Sequence, residues 1–487
     1  MRTLLFLAAV MPLLMGCDSG ATDEIERALV ELTRIRDQKQ TELKDYFEHV
    51  NETVTSARED EQLVSAFTEL RSLYLGVARP SGSDGYRPIA AIERDIVERY
   101  LDEYQVFYDV HFIESDGEVF YTLLKQPNLF QNIFAGDLAG SALARQLRAN
   151  PESSAVDFTF MNFTSEPSAF FAEPVRTDGE HLGWIVFQFA SLRLNEIFPY
   201  EPLLGVTGEV FLVNRDQFML TDSYNSPESA ILRRHLSAEN IEAKFAEGEG
   251  RKTVVDYRGH VALTSFEVVD IAGFEWLLIA KIDRDEVVTR QYMSAPDTYR
   301  EQVLAVLRDS GRAYSDAEPP ARDHTVNLDE YLRVDTEEVL YTPGVSTCTA
   351  VIVSLPGEFA YMAHVSPYDR IYGGSRTDLV GSISKRITDF EIADKRMRDL
   401  EVVVVTPHIQ YSEQLIDELV EDGLFLSQIT IMKNPDARCA DVTYEFSTNT
   451  TFVTWCSSVG GSGERVQLSR EAQSVGEIME GFLVDEG

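Results

Sequence analysis

From Asp23 to Leu75 the chain contains neither proline nor glycine. Apolar residues recur there at helical spacing: Ile25, Leu29 and Leu32, then Leu43, Tyr46 and Val50, then Leu63, Phe67, Leu70 and Tyr74. The intervening faces are charged. This pattern predicts a long amphipathic helix over residues 23–77, broken once near Asn51. Its stripe either packs along its own domain or pairs with a second copy as a homodimer. The seam is too interrupted to decide between the two. A second helix is predicted over 89–104. The net charge of −38 is spread along the whole chain. Such a surface repels nucleic acid and anionic headgroups, so nucleic acid is excluded as a partner.

The amino terminus carries a separate signal. Basic Arg2 precedes an apolar run, Leu4 to Val10, and small Gly16 stands directly before Cys17. This is the layout of a secretory signal peptide. Leu14-Met15-Gly16-Cys17 resembles a bacterial lipobox. The resemblance implies cleavage of residues 1–16, lipid attachment at Cys17, a tether over 17–22, and life outside the cytoplasm on a membrane. Asp18 resembles the inner-membrane retention signal of enteric lipoproteins, a rule that varies between bacteria, so the choice of membrane stays open. There are four cysteines. With Cys17 on lipid, an odd number remains, which suggests one disulfide and one free thiol. Cys439 and Cys456 flank a β-rich run, 442–455, and are expected to pair, leaving Cys348 free. No C-x-x-C pair or His/Cys cluster is present, so neither a zinc site nor another cofactor is expected.

Strand signals dominate after residue 105. Residues 108–113 alternate into the turn Asp116-Gly117, and 119–122 leave it, a hairpin signature. A polar excursion with a helix at 139–148 follows, then strands at 156–160, 169–175 and 183–189, and a helix at 192–198. The pattern restarts with strands at 208–213, 218–221, 254–257, 261–268 and 274–283. Two successive five-strand antiparallel units behind a long helix read as an internal duplication.

Leu204-Gly205-x-Thr207-Gly208-Glu209-x-Phe211-Leu212-Val213-Asn214, then Asp222-Ser223, then Trp276-Leu277-Leu278-Ile279-Ala280-x-Ile282-Asp283 resemble the membrane-proximal half of a double Cache (PAS-like) sensor. The hairpin from Asp109 to Tyr121 and the strands from Phe170 to Phe189 resemble its distal half. The resemblance covers 23–290, with a distal module at 105–198 and a proximal one at 204–285. It implies an extracytoplasmic sensor with a small-molecule ligand in the distal module. Candidate ligand-binding residues are Tyr121, Asp157, Phe160, Asn162, Phe171 and Gln188, polar groups and aromatics of the kind that line such pockets. The family's amino-acid motif is absent, since no Arg-x-Trp-Tyr follows Tyr121, so an α-amino acid ligand is not supported.

A helix at 299–310 and the linker Glu318-Pro319-Pro320 lead from the sensor, through 291–325, to a new domain over 326–487. Thr342 precedes Cys348 by six positions, and His364 follows by sixteen. A thiol nucleophile needs a base beside it and a group to orient that base. The set Thr342, Gly344-x-Ser346-Thr347-Cys348 and Met362-x-His364 resembles the chemoreceptor glutamine deamidase CheD and, more distantly, cytotoxic necrotizing factor toxins. It departs from CheD where Ala360-Tyr361 and Val365-Ser366 replace the paired glycines and Leu-Pro. The resemblance implies a cysteine amidohydrolase with Cys348 as nucleophile, His364 as base, Thr342 as orienter, and an amide of an envelope protein among the substrates. His408 is a rival base. The alternative is a non-enzymatic docking module that passes ligand occupancy to a membrane signalling partner. The expected fold class is α+β: a long helix with two PAS-like antiparallel sheets, then a separate α/β sandwich.

Overall fold

The computed structural model describes residues 11–76, 92–94, 96–98, 100–164, 167–226, 228–294, 318–366, 379–388, 394–408, 413–434, 436–456 and 464–467. The predicted helix at 299–310 and the start of the signal segment lie outside them. Among the described residues no helix is long and apolar enough to cross a membrane. The class is α+β, in two compact units: Leu29–Ile282, and Asp283–Gly487 with Met1–Ala28.

The first unit is built on α1 (Met11–Ala57), from Leu29 onward, and α2 (Glu61–Gly76). The break falls at residues 58–60, later than the Asn51 expected from sequence. Asp60 causes it: its Oδ1 accepts the backbone N–H groups of Gln62 and Leu63, capping α2, and its Oδ2 accepts the Tyr104 hydroxyl. The distal sheet comprises β1 (Asp109–Glu114), β2 (Val119–Thr122), β3 (Ser154–Thr159), β4 (Ser168–Thr177) and β5 (Glu180–Ala190), all antiparallel in the order β2-β1-β5-β4-β3. Period-two alternation divides it. Phe112, Phe120 and Phe189 face the helices, meeting Phe67 and Phe47. Ile113, Phe170, Trp184 and Val186 face the 126–148 excursion and its helix α3 (Ala142–Ala149). Helix α4 (Leu192–Ile197) leads out of the module.

The proximal sheet has four strands, not five: β6 (Glu209–Val213), β7 (Glu249–Val255), β8 (Val261–Ile271) and β9 (Phe274–Asp283), ordered β6-β9-β8-β7, with α5 (Ala238–Glu247) before β7. The predicted strand 218–221 survives only as bridges, Val213 to Met219 and Phe218 to His235. Side chains take bonds a ladder would use. Thr221 Oγ1 accepts from Leu212 N and Asn214 Oδ1 from Phe218 N.

The second unit contains two five-stranded sheets and a helical layer. One sheet runs β10 (His324–Thr325), β12 (Val339–Val345), β17 (Cys439–Glu445), β18 (Thr450–Cys456), β19 (Glu464–Gln467). The other runs β11 (Tyr331–Val334), β14 (Phe359–Val365), β13 (Thr349–Leu355), β15 (Glu401–Thr406), β16 (Ile429–Lys433). Ala350, Ile352, Ala360 and Met362 of one sheet meet Leu340, Val442 and Val453 of the other in an inner core. The opposite face of the second sheet, with Val351, Val353 and Tyr361, buries α7 (Leu379–Arg386) and α8 (Glu413–Glu421). Helix α6 (Arg284–Ser294), grouped by sequence with the sensor as far as residue 290, belongs to this unit. Its Val288 and Tyr292 are part of that outer core. Cys439 and Cys456 are directly opposed on β17 and β18 and are disulfide-bonded.

Candidate functional site

Thr342 sits where β12 leaves its ladder. It pairs with Val442, and the register then slips before Val345, at Pro343-Gly344. Gly344 takes φ 71°, a conformation that costs glycine little. The slip frees the turn Ser346-Thr347-Cys348. On β13 every second residue, Ala350 then Ile352, points into the inner core. Cys348 has the same parity and packs against that core while remaining partly exposed. His364 pairs with Ala350 across β13 and β14, so it too points inward, and it is buried.

Thr342 and His364 come from different sheets and meet between them, with Oγ1 and Nδ1 2.7 Å apart. Thr342 Oγ1 donates its own proton to the Val326 carbonyl at 2.8 Å. A hydroxyl has one proton, so toward His364 it can only accept, and Nδ1 must carry the ring hydrogen. That leaves a lone pair on Nε2, which is buried and has no hydrogen-bond partner among the described residues. Burial pushes the His364 pKa down, opposed by the charge of Asp329. Burial pushes the Cys348 thiol up; hydrogen bonds from the Ser346 backbone and the Thr347 hydroxyl pull it down, and Asp329 pushes it up again. The resting pair is therefore a neutral thiol and a neutral imidazole. Asp329, on the loop between β10 and β11, carries no sequence motif and was not anticipated. Its N–H donates to the His364 carbonyl at 2.8 Å, and its Oδ1 accepts from Ser366 N at 3.0 Å. The rival His408 lies two residues past β15, half-buried, its carbonyl accepting the Thr406 hydroxyl.

In the distal module the face opposite the helices holds a buried polar network. Asp109 and His111 alternate along β1 with Ile113, and Gln188 lies opposite Asp109 on β5. Gln188 Oε1 receives His111 Nε2 at 3.2 Å and Gln126 Nε2 at 2.7 Å, and Gln188 Nε2 donates to Ser168 Oγ at 2.8 Å. Gln126 Nε2 also reaches Asp109 Oδ2, and Asn128 Nδ2 reaches His111 Nδ1. Burial holds His111 neutral by lowering its pKa.

Of the six sequence-chosen ligand residues, only Gln188 belongs to this network. Tyr121 pairs with Phe112 and shares its helix-facing side. Phe171 pairs with Phe187 on that same side and meets Phe107. Asp157 also turns away, its carboxylate accepting Trp276 Nε1 at 3.1 and 3.2 Å. Burial pushes Asp157 up to about 6, against the Trp276 and Phe158 hydrogen bonds. Phe160 and Asn162 are exposed. The sequence signal that could have found the network is polar Asp109-x-His111 at strand period in an otherwise apolar strand. The proximal module holds a satisfied ion network instead. Lys281 bridges Glu209 and Asp256, while Tyr257 and Ser223 donate to Glu209.

No known family profile and no curated protein matches the chain. Solved structures similar to parts of it include an extracellular ligand binding receptor and ligand-binding domains of chemoreceptors. An extracellular ligand binding receptor from Desulfohalobium retbaense is 16% identical over 52% of this chain, at a TM-score of 0.36, and the chain spans 40% of its length. A Pseudomonas aeruginosa amino acid chemoreceptor domain, PctB with L-Arg, is 15% identical over 50% of this chain and 97% of its own, at 0.31. A Campylobacter jejuni chemoreceptor domain with 4-methylisoleucine is 11% identical over 54% and 94%, at 0.37. Scores this low carry no weight for the fold, and none for ligands.

Proposed function

We propose that the chain is an extracytoplasmic sensor lipoprotein. It is anchored through Cys17, binds a small ligand in a double Cache region, and carries a CheD-like cysteine amidohydrolase domain. The observation that carries the enzymatic part is the cross-sheet hydrogen bond from His364 Nδ1 to Thr342. It fixes the tautomer that leaves the Nε2 lone pair available as a base for the Cys348 thiol, which packs against the same inner core. The disulfide between Cys439 and Cys456 supports an oxidising compartment. Sheet order β2-β1-β5-β4-β3 behind a long helix supports the Cache reading of the distal module.

In this mechanism His364 Nε2 takes the Cys348 proton as Sγ bonds to the acyl carbon of a primary amide. Backbone N–H groups of the 346–348 turn steady the oxyanion. Nε2 then gives the proton to the departing nitrogen, the C–N bond breaks, and ammonia leaves a thioester. Water, deprotonated by Nε2, opens the thioester and the proton returns to Sγ. Ammonia release from glutamine and asparagine peptides tests this. The wild-type chain should release it, and Cys348→Ser and His364→Gln variants should lose at least about 100-fold in rate. Equal rates in wild type and variants would remove the enzymatic reading.

One observation favours a second reading. Burial raises the Cys348 pKa, and Nε2 has no partner among the described residues, so thiol and base are not hydrogen-bonded at rest. In a docking module they would stay so, and no ammonia would appear with any amide.

A further inference from the structure

We propose that Asp329 is a specificity-determining residue that makes the Cys348–His364 site select amides bearing a cationic group. This rests on the amidohydrolase reading for its chemistry, while its test does not require turnover.

The placement comes from the ladder. Thr349 pairs with Val365 and Ala350 with His364. One step further along the two strands stand Cys348 and Ser366. Asp329 is fastened to that end of β14 twice, by its N–H on the His364 carbonyl and by its Oδ1 on the Ser366 N–H. Its neighbour Glu330 completes the clamp, its carbonyl accepting from His364 N at 3.1 Å. The carboxylate is thereby held over the residue opposite the nucleophile, and its charge reaches both Cys348 and His364. The Asp329 backbone takes φ 59°, a left-handed conformation that Asp and Asn tolerate better than other residues with a Cβ.

Two further facts separate a recognition group from a structural one. Asp329 is exposed, and among the described residues Arg333, the cation four residues on, pairs with Asp335 and no ion pair engages Asp329. The next residue in the chain, the acid Glu330, is engaged with Asn327. A fixed carboxylate with an open oxygen beside a nucleophile attracts a cationic substituent and repels an anionic one. The substrate class is an amide with a nearby ammonium or guanidinium, whether a small molecule or a basic peptide segment.

The test uses charged thiol reagents on the full chain in detergent, with the modified residue located by peptide mass spectrometry. Trimethylammonioethyl and sulfonatoethyl methanethiosulfonates both form a disulfide with Cys348 and release methanesulfinate. The readout is the ratio of their rates. Asn at 329 keeps the acceptor for Ser366 N and the left-handed backbone, so Asp329→Asn removes charge alone. Its ratio should fall roughly fivefold toward the anion. Asp329→Glu should retain most of the wild-type ratio, and Glu337→Gln, at a charged position outside the clamp, should leave it unchanged. An unchanged ratio in Asp329→Asn, or an equal fall in Glu337→Gln, would overturn the proposal. His364→Gln run in parallel should slow both reagents alike. If it does not, the base assignment fails while the charge readout stands.

Discussion

The Thr342 hydroxyl does what a carboxylate often does for a catalytic histidine, but without a charge. It fixes the tautomer and gives the imidazolium no ionic partner. Thr342→Val would bury a His364 N–H without an acceptor, at a cost of about 1–3 kcal/mol. Chemical denaturation of the second unit should show it, with slower alkylation of Cys348. The pH dependence follows from the lowered His364 pKa. The folded state binds fewer protons there than the unfolded chain, so stability is present above the unfolded value of about 6.5 and is lost as pH falls below it. A His364→Gln variant should lose that acid-side slope in a denaturation series across pH. At this scale the sequence was informative where spacing carries chemistry. Thr342 and His364 stand at intervals that a neighbouring strand converts into a hydrogen bond, and Cys348 packs against the same inner core. Asp329 gave no such signal, because a loop residue is brought to a site by tertiary pairing alone. Tyr121 and Phe171 went astray for a related reason: which face a strand residue takes depends on register, and one step reverses it.

Among the elements, β3 and β9 meet through Asp157 and Trp276, inside a cluster of Phe47, Phe158 and Phe274 around the indole. The carboxylate is desolvated there and pushed up to about 6. The folded state then binds the extra proton, so this contribution is full below the unfolded value of about 4 and is lost as pH rises through 6. Asp157→Asn keeps an acceptor for Trp276 Nε1 and removes the buried charge. It should stabilise the first unit by about 1–3 kcal/mol at pH near 7.5 and by little near pH 4, read by thermal melting. The periodicities located most strands and the long helix. They missed the helix break because Asp60 caps α2 from a charged stretch resembling its surroundings. They also took 218–221 for a strand, since alternation there is real but Thr221 and Asn214 spend the ladder bonds on side chains.

For the molecule as a whole, each unit carries its own core, and their stabilities should respond to different changes. Tyr292 is fully buried in the outer core of the second unit, and its hydroxyl donates to Asp417 Oδ1 at 2.9 Å. Tyr292→Ala should cost that unit about 3–5 kcal/mol, as other large-to-small aromatic losses do. Calorimetry should show one transition moving and the other, from the first unit, staying. Reducing the disulfide, which closes a separation of 17 residues, should lower the same transition by about 3 kcal/mol. The charge of −38 acts on both units through self-repulsion. Composition made that term plain, while the division at Asp283, which assigns α6 to the second unit, emerged only from packing.

The raised thiol pKa of Cys348 also bears on survival. A cysteine exported beside disulfide-forming catalysts is captured in proportion to its thiolate fraction. A nucleophile kept as thiolate, the usual device of cysteine enzymes in reducing compartments, would there be swept into mixed disulfides or oxidised to sulfenic acid. A thiol that stays protonated until an acyl carbon arrives and Nε2 takes its proton is nearly invisible to that chemistry. On the proposed reading of an exported amidohydrolase, burial of Cys348 trades intrinsic reactivity for shelf life, keeping the residue reduced over the intervals between substrates.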